Sequence, residues 1–229
     1  MESDAIKLIT GNPKKAINAL MVPILISTVL NLFSNIVDAL WVVGLGPDAV
    51  AALGFNTPLF LILTGVGVGI GAGANSLISR YIGAKDHDSA NNAAIHSVFI
   101  SIIITVITTV LLLIFLKPML ILLGAENVLD YAVSYGMWVS IGAFATLMAN
   151  IFAGIFRAEG AIKRATYPLM AAAVLNMLLD PVLIYTLNFG VAGAAIATQG
   201  AQALALIVMA YWMFIKKDTY FDFSLKKIL

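Results

Sequence analysis

Asp38 and Asp180 stand inside apolar stretches long enough to cross a membrane, the first running from Ala16 to Val43 and the second from Pro168 to Asn188. An ionised carboxylate at bilayer depth costs about 3 kcal/mol on insertion scales, so such groups usually face a bundle interior and mark a cation or proton path. Neither stretch holds a lysine or arginine to neutralise them. Each carboxyl must then be protonated, share a proton with a neighbour, or hold a cation. Polar companions stand close by in sequence. Asn31 and Asn35 share a helical face with Asp38, Asn176 lies one turn before Asp180, and Ala194, Thr198 and Gln202 form a stripe at i, i+4 spacing. Two prolines loosen the same helices, Pro23 by removing the partner of the Ala19 carbonyl and Pro181 by freeing that of Met177. If Asp38, Asn176, Asp180 and Thr198 come together, they make a negative, oxygen-rich pocket for a shared proton or a desolvated Na⁺. Transport is the reading these residues carry.

The elements that must position them follow from composition. With 61% hydrophobic and 11% charged residues, the chain is far more apolar than a soluble domain and reads as an all-α integral membrane protein. Six runs approach or exceed the roughly 20 residues that span the hydrocarbon as helix: about 16–43, 51–76, 93–116, 131–156, 168–188 and 191–215. They are too long and too continuous for barrel strands. Cysteine is absent, which excludes disulfides and thiolate metal sites. Twelve of the thirteen lysines and arginines fall on one side: Lys7, Lys14, Lys15, Arg80, Lys85, Arg157, Lys163, Arg164, Lys216, Lys217, Lys226 and Lys227, against Lys117 alone on the other. The positive-inside bias puts both termini in the cytoplasm. The first apolar run is too long for a signal-peptide core and carries Asp38.

Several other features have plainer readings. Gly65, Gly69 and Gly73 form a small-xxx-small series expected to give close helix approach, and so do Gly193, Ala197, Ala201 and Ala205. Gly67, Gly69 and Ala72 fit a dinucleotide fingerprint but lack the strand before and soluble helix after that it requires. His87 and His96 have no partner at metal-ligand spacing. Trp41, Trp138, Tyr211 and Trp212 lie toward span ends as interfacial anchors, and Tyr135 is placed to line a cavity.

The segment Gly11-Asn12-Pro13 to Pro23, Asp38 with the following Gly44-Leu45-Gly46-Pro47, Arg157-Ala158-Glu159-Gly160 leading to Asn176 and Asp180-Pro181, and Gly190 to Thr198 together resemble the multidrug and toxic compound extrusion (MATE) antiporters, in particular their prokaryotic DinF-like branch. The resemblance implies export of cationic or amphipathic compounds in exchange for H⁺ or Na⁺. It also implies an N-lobe cation site at Asp38, Asn176, Asp180 and Thr198 with the Ala194 carbonyl, a further polar position at Asn150, and a helix bend at Pro23. Asn35, Tyr135, Asn150 and Pro181 are the remaining cavity or bend candidates. MATE transporters have twelve helices in two lobes, whereas this chain has one set of six runs, so residues 1–229 read as a single N-lobe without its C-lobe. A complementary lobe or a second copy is the expected partner, with membrane lipid and small cationic substrates; no nucleic acid and no cofactor beyond the coupling ion is expected. The expected location is the plasma membrane. A structural or assembly subunit, or a truncated product, is the main rival reading. An intramembrane enzyme is weaker, because no G-x-G-D element or aspartate-rich diphosphate site is present.

Overall fold

A backbone crossing hydrocarbon has no water to satisfy its N–H and C=O groups, so long apolar runs fold as helices. The computed structural model describes residues 13–216 and 219–221, with the side chains of Ile17 and of residues from 21 onward in the first helix. Lys7, Gly11, Asn12, Lys217, Lys226 and Lys227 lie outside the described residues, as do the side chains of Pro13, Lys14 and Lys15. The helices are α1 (Pro13–Val43), α2 (Pro47–Gly83), α3 (His87–Leu122), α4 (Leu129–Ala158, after a 3₁₀ turn at Glu126–Val128), α5 (Ile162–Pro181) and α6 (Val191–Ala210). The last two run on through wider π-helical turns, Val182–Thr186 and Tyr211–Ile215. All six are long and apolar enough to cross a membrane, and no strand occurs among the described residues. The protein is a multi-pass bundle of membrane helices.

Helices extend past the apolar runs wherever a local signal continues them. Pro47 at the first turn starts α2 before Ala51, where a missing N–H costs nothing. Asp86 caps α3, accepting a hydrogen bond from the Ser89 N–H at 3.0 Å. Hydrogen bonding from Ser89, first from its side chain and then from its backbone N–H, holds the Asp86 carboxyl below the usual carboxylate range. On α5 the helix begins at Ile162, so Pro168 sits buried inside it rather than at its start. The run therefore starts later than the helix, because the polar turn Ile162–Tyr167 is helical without being apolar throughout.

The most buried helix is α4, which lies between α2, α3 and α6. Its approach to α2 is set by Gly71 and Gly154. A methyl on Gly154 would meet the Gly71 carbonyl and stand 2.7 Å from Gly71 Cα, and one on Gly71 would stand 2.8 Å from the Asn150 carbonyl. Gly67 faces Leu147 and Asn150 in the same seam. This corrects the expectation for Gly65, Gly69 and Gly73, which are exposed with nothing near enough to touch an added methyl. Glycines spaced by two alternate faces on a helix, and burial chose the set about half a turn away. The α5–α6 seam behaves as expected: Gly193 abuts the backbone of Leu183, while Ala201 and Ala205 pack on Ala172.

Both α1 and α3 are little buried, and α1 packs chiefly along α5. At one end of the bundle Glu159 accepts from the Tyr220 N–H at 2.7 Å and faces Arg164 at 3.8 Å. Tyr220 also stacks on His87 and hydrogen-bonds its ring, and Phe221 is buried beside it. The α2–α3 turn, the α4–α5 turn and the segment after α6 are thus joined at one end, as alternating membrane crossings require.

Candidate cation site

Three helices meet at the two aspartates. Asp38 on α1 brings its carboxyl within hydrogen-bonding reach of the Asp180 carboxyl on α5. Asp180 is fully buried and Asp38 half-buried. Asn176, one turn earlier on α5, donates from Nδ2 to Asp180 Oδ1 at 3.2 Å and to Thr198 Oγ1 on α6 at 3.1 Å. Thr198 in turn donates to the Ala194 carbonyl at 3.0 Å. Asp38 Oδ1 and Asp180 Oδ2 are buried without a protein donor. Two carboxylates in contact repel strongly, and no cationic side chain is recorded against them among the described residues. A proton between the two oxygens, or a cation coordinated by them, removes that repulsion. The donor set is oxygen-rich and suits a proton or a hard cation.

The Asn176 amide can present either end to the pocket. As placed, its Oδ1 accepts from Ser34 at 2.8 Å and its NH₂ points at Asp180 and Thr198, a network complete with a shared proton. Rotating the amide by half a turn aims its carbonyl into the pocket, where only a cation compensates the crowded oxygens.

Apolar packing closes the pocket on one side. Val42 and Ile184, one turn beyond Asp38 and Asp180, join Val191 and Ala194 in a buried cluster. Trp41 and Tyr185 meet edge-to-face at its rim, with centroids 6.0 Å apart, and Tyr185 donates to the Trp41 carbonyl. Trp41 therefore serves packing between α1 and α5 as well as any interfacial role. Tyr135 is within electrostatic reach of both carboxyls.

Other expected positions stand apart. Asn35 is exposed on α1 and Asn31 bonds back to the Ser27 carbonyl. Asn150 donates to the Thr146 carbonyl of its own helix and packs against α2. Pro23 lies within α1, well before the pocket, and Pro181 precedes the wide turn at Val182–Thr186. Sequence reading passed over Ser34, although Ser34 and Asp38 are four residues apart and share a face. It also passed over the joint between α4 and α6, where Thr146 donates to Gln199 at 2.8 Å and Gly142 leaves room for the Gln199 side chain.

The MatE family model matches residues 23–182, a segment that includes both aspartates. The chain belongs to the MATE family. The multidrug export protein MepA of Staphylococcus aureus (strain MSSA476) is 30% identical over 203 residues, 87% of this chain and 45% of that protein. A solved MATE transporter in a straight conformation superposes with a TM-score of 0.95 at 38% identity, covering 99% of this chain and 51% of that one. A solved MATE structure in a bent conformation superposes with a TM-score of 0.94 at 37% identity, with the same coverage. The chain thus spans about half the length of the MATE proteins it matches, and its six helices have the fold of an N-lobe.

Proposed function

We propose that this chain supplies the cation-binding lobe of a MATE exporter that moves cationic or amphipathic compounds out of the cell against inward flow of H⁺ or Na⁺. The observation that carries the reading is the convergence of Asp38, Asn176, Asp180 and Thr198 from three helices onto one buried pocket. Empty and ionised, the pocket holds α1 and α5 apart by like charge; filled, it draws them together. Because α1 leans chiefly on α5, and Pro23 leaves one of its turns without a backbone hydrogen bond, a change at Asp38 can reshape α1 without disturbing α4. Relatives solved with straight and bent conformations support two packings of comparable energy. The coupling cation favours one of these and the exported compound the other, which is alternating access driven by differential binding. The pairing of this lobe with a C-lobe, or with a second copy of itself, encloses the substrate, and both chain ends lie in the cytoplasm.

The test is flux in proteoliposomes holding a two-lobe transporter built with this chain as one lobe. Efflux of a fluorescent organic cation such as ethidium should require a Na⁺ or H⁺ gradient and collapse when that gradient is dissipated. Efflux indifferent to both gradients would remove the proposal.

A further inference from the structure

The last turn of an α-helix leaves carbonyls without partners. Helix α1 ends at Val43 and its exit tightens, the Leu45 N–H turning to the Val42 carbonyl at 3.0 Å and the Gly46 N–H to the Val43 carbonyl at 3.1 Å. In a continuing helix the Leu45 N–H would serve the Trp41 carbonyl, which is thus left for another donor. Tyr185 supplies it from the π-helical turn that follows α5: its hydroxyl donates to that carbonyl, and its ring meets the Trp41 indole edge-to-face.

Two features make room for this reach. Gly44 lies against the hydroxyl, where a methyl would collide with the Tyr185 oxygen and stand 3.3 Å from the ring carbon that bears it. Its φ is not in the left-handed region, so what this glycine supplies is space. Tyr185, for its part, stands five residues after Asp180, a spacing that on an α-helix turns two side chains about 140° apart. The wide turn at Val182–Thr186, closed by the Leu187 N–H on the Val182 carbonyl at 2.9 Å, alters that phase. Both residues then meet α1, Asp180 at Asp38 and Tyr185 at Trp41. The two joins are about one turn apart, and Val42 is buried beside them against Ile184.

We propose that Tyr185 is a positioning residue for the cation pocket: by capping the Trp41 carbonyl it holds the last turn of α1 against α5, and so keeps the Asp38 carboxyl in register with that of Asp180. The proposal rests on the reading of those two carboxyls as the cation site. When the pocket is ionised, like charges push α1 away from α5, and the clasp one turn further on opposes that movement. Helix α1 packs chiefly along α5, so the Asp38 turn has little other support.

The chain has no cysteine, so a thiol placed at the clasp reports on it alone. Val42, fully buried one turn beyond Asp38, is replaced by cysteine, and its alkylation by N-ethylmaleimide is timed in nanodiscs. Each rate is divided by that of the exposed Asp48→Cys thiol at the same pH and salt. Tyr185→Phe keeps the ring and removes the hydroxyl, and Gly44→Ala pushes the hydroxyl aside; each should speed the reaction roughly three- to tenfold, the worth of one hydrogen bond. The Val139→Cys thiol, buried in α4, should stay slow in both variants, and equal acceleration there would overturn the proposal in favour of a loosened bundle. Raising Na⁺ or lowering pH should slow the Val42→Cys reaction as the pocket fills. Tyr185→Phe should move the midpoint of that response to roughly three- to tenfold higher cation concentration. A Val42→Cys chain without such a response, or an Asp38→Asn variant that keeps it, would overturn the cation reading and the proposal with it. A response lost in Asp38→Asn but unmoved by Tyr185→Phe would overturn the proposal alone, leaving Tyr185 as a packing contact.

Discussion

Ser34 shows how a neutral residue can govern a charged pair. Its hydroxyl holds Asn176 Oδ1, and through that amide it fixes which face Asn176 turns to Asp180. Replacing it with alanine leaves a buried carbonyl oxygen unpaired, at a cost of about 1–3 kcal/mol unless the amide rotates. In a two-lobe transporter, Ser34→Ala is expected to shift the apparent cation affinity roughly three- to tenfold, with maximal efflux little changed; an unchanged affinity would show that Asn176 is positioned by Asp180 and Thr198 alone. The carboxyls themselves should behave as a unit. Asp38→Asn and Asp180→Asn are each expected to abolish gradient dependence, and the double variant should be no worse than either single one, because both disable the same pocket. Additive losses, or coupling retained in both single variants, would place the two groups in separate sites.

At the level of helices, the contact between α2 and α4 rests on glycines that no spacing rule singled out. Gly154 and Gly71 leave no room for a methyl against facing backbone, and backbone cannot move aside as a side-chain tip can. Gly154→Ala should therefore destabilise the bundle by about 1–3 kcal/mol. Gly69→Ala, two residues from Gly71 on the open face, should be neutral or mildly stabilising, since alanine is the better helix former by about 1 kcal/mol. Thermal unfolding of the two variants in the same detergent checks the order, and a reversal would mean that the open face of α2 is covered by something the isolated lobe lacks. The contrast between α4, buried on nearly all sides, and α1, supported chiefly by α5, sets a well-packed helix apart from a lightly supported one.

For the whole molecule, sidedness and completeness are the properties to test. The absence of cysteine permits single-cysteine mapping without background. Cysteines at Lys85 or Lys163 are expected to resist a membrane-impermeant thiol reagent in intact cells, and cysteines at Asp48 or Asn127 to react; the opposite labelling would invert the bundle. The second property concerns the exposed polar groups. Asn35 lies open on α1, and Gly65, Gly69 and Gly73 leave a smooth strip on α2, surfaces that suit another protein face better than hydrocarbon. The 229-residue chain expressed alone is expected to insert and fold but to give no drug resistance, and resistance is expected to appear when a complementary lobe is co-expressed. Resistance from a demonstrated monomer would mean that six helices suffice.

The membrane class, the six helices and their alternating direction were determined by sequence alone, because hydrocarbon admits few backbone solutions and long apolar runs announce the one chosen. The unusual placing of Asp38 and Asp180 was likewise legible, since a carboxyl within so long an apolar run stands out. Asn176 and Thr198 could be named through motif resemblance, yet their hydrogen bonds to each other and to Asp180 depend on α5 and α6 packing at one phase and no other. Ser34 entered the network for the same reason. Which glycines make contact was undecidable along α2, where every second residue from Gly65 to Gly73 is glycine and both faces offer a plausible seam. Tertiary structure decided it by setting α2 against Gly154 of α4, so that Gly67 and Gly71 turned inward and the other three were left open: spacing lists the faces a helix has, and only its neighbours select the one that is buried.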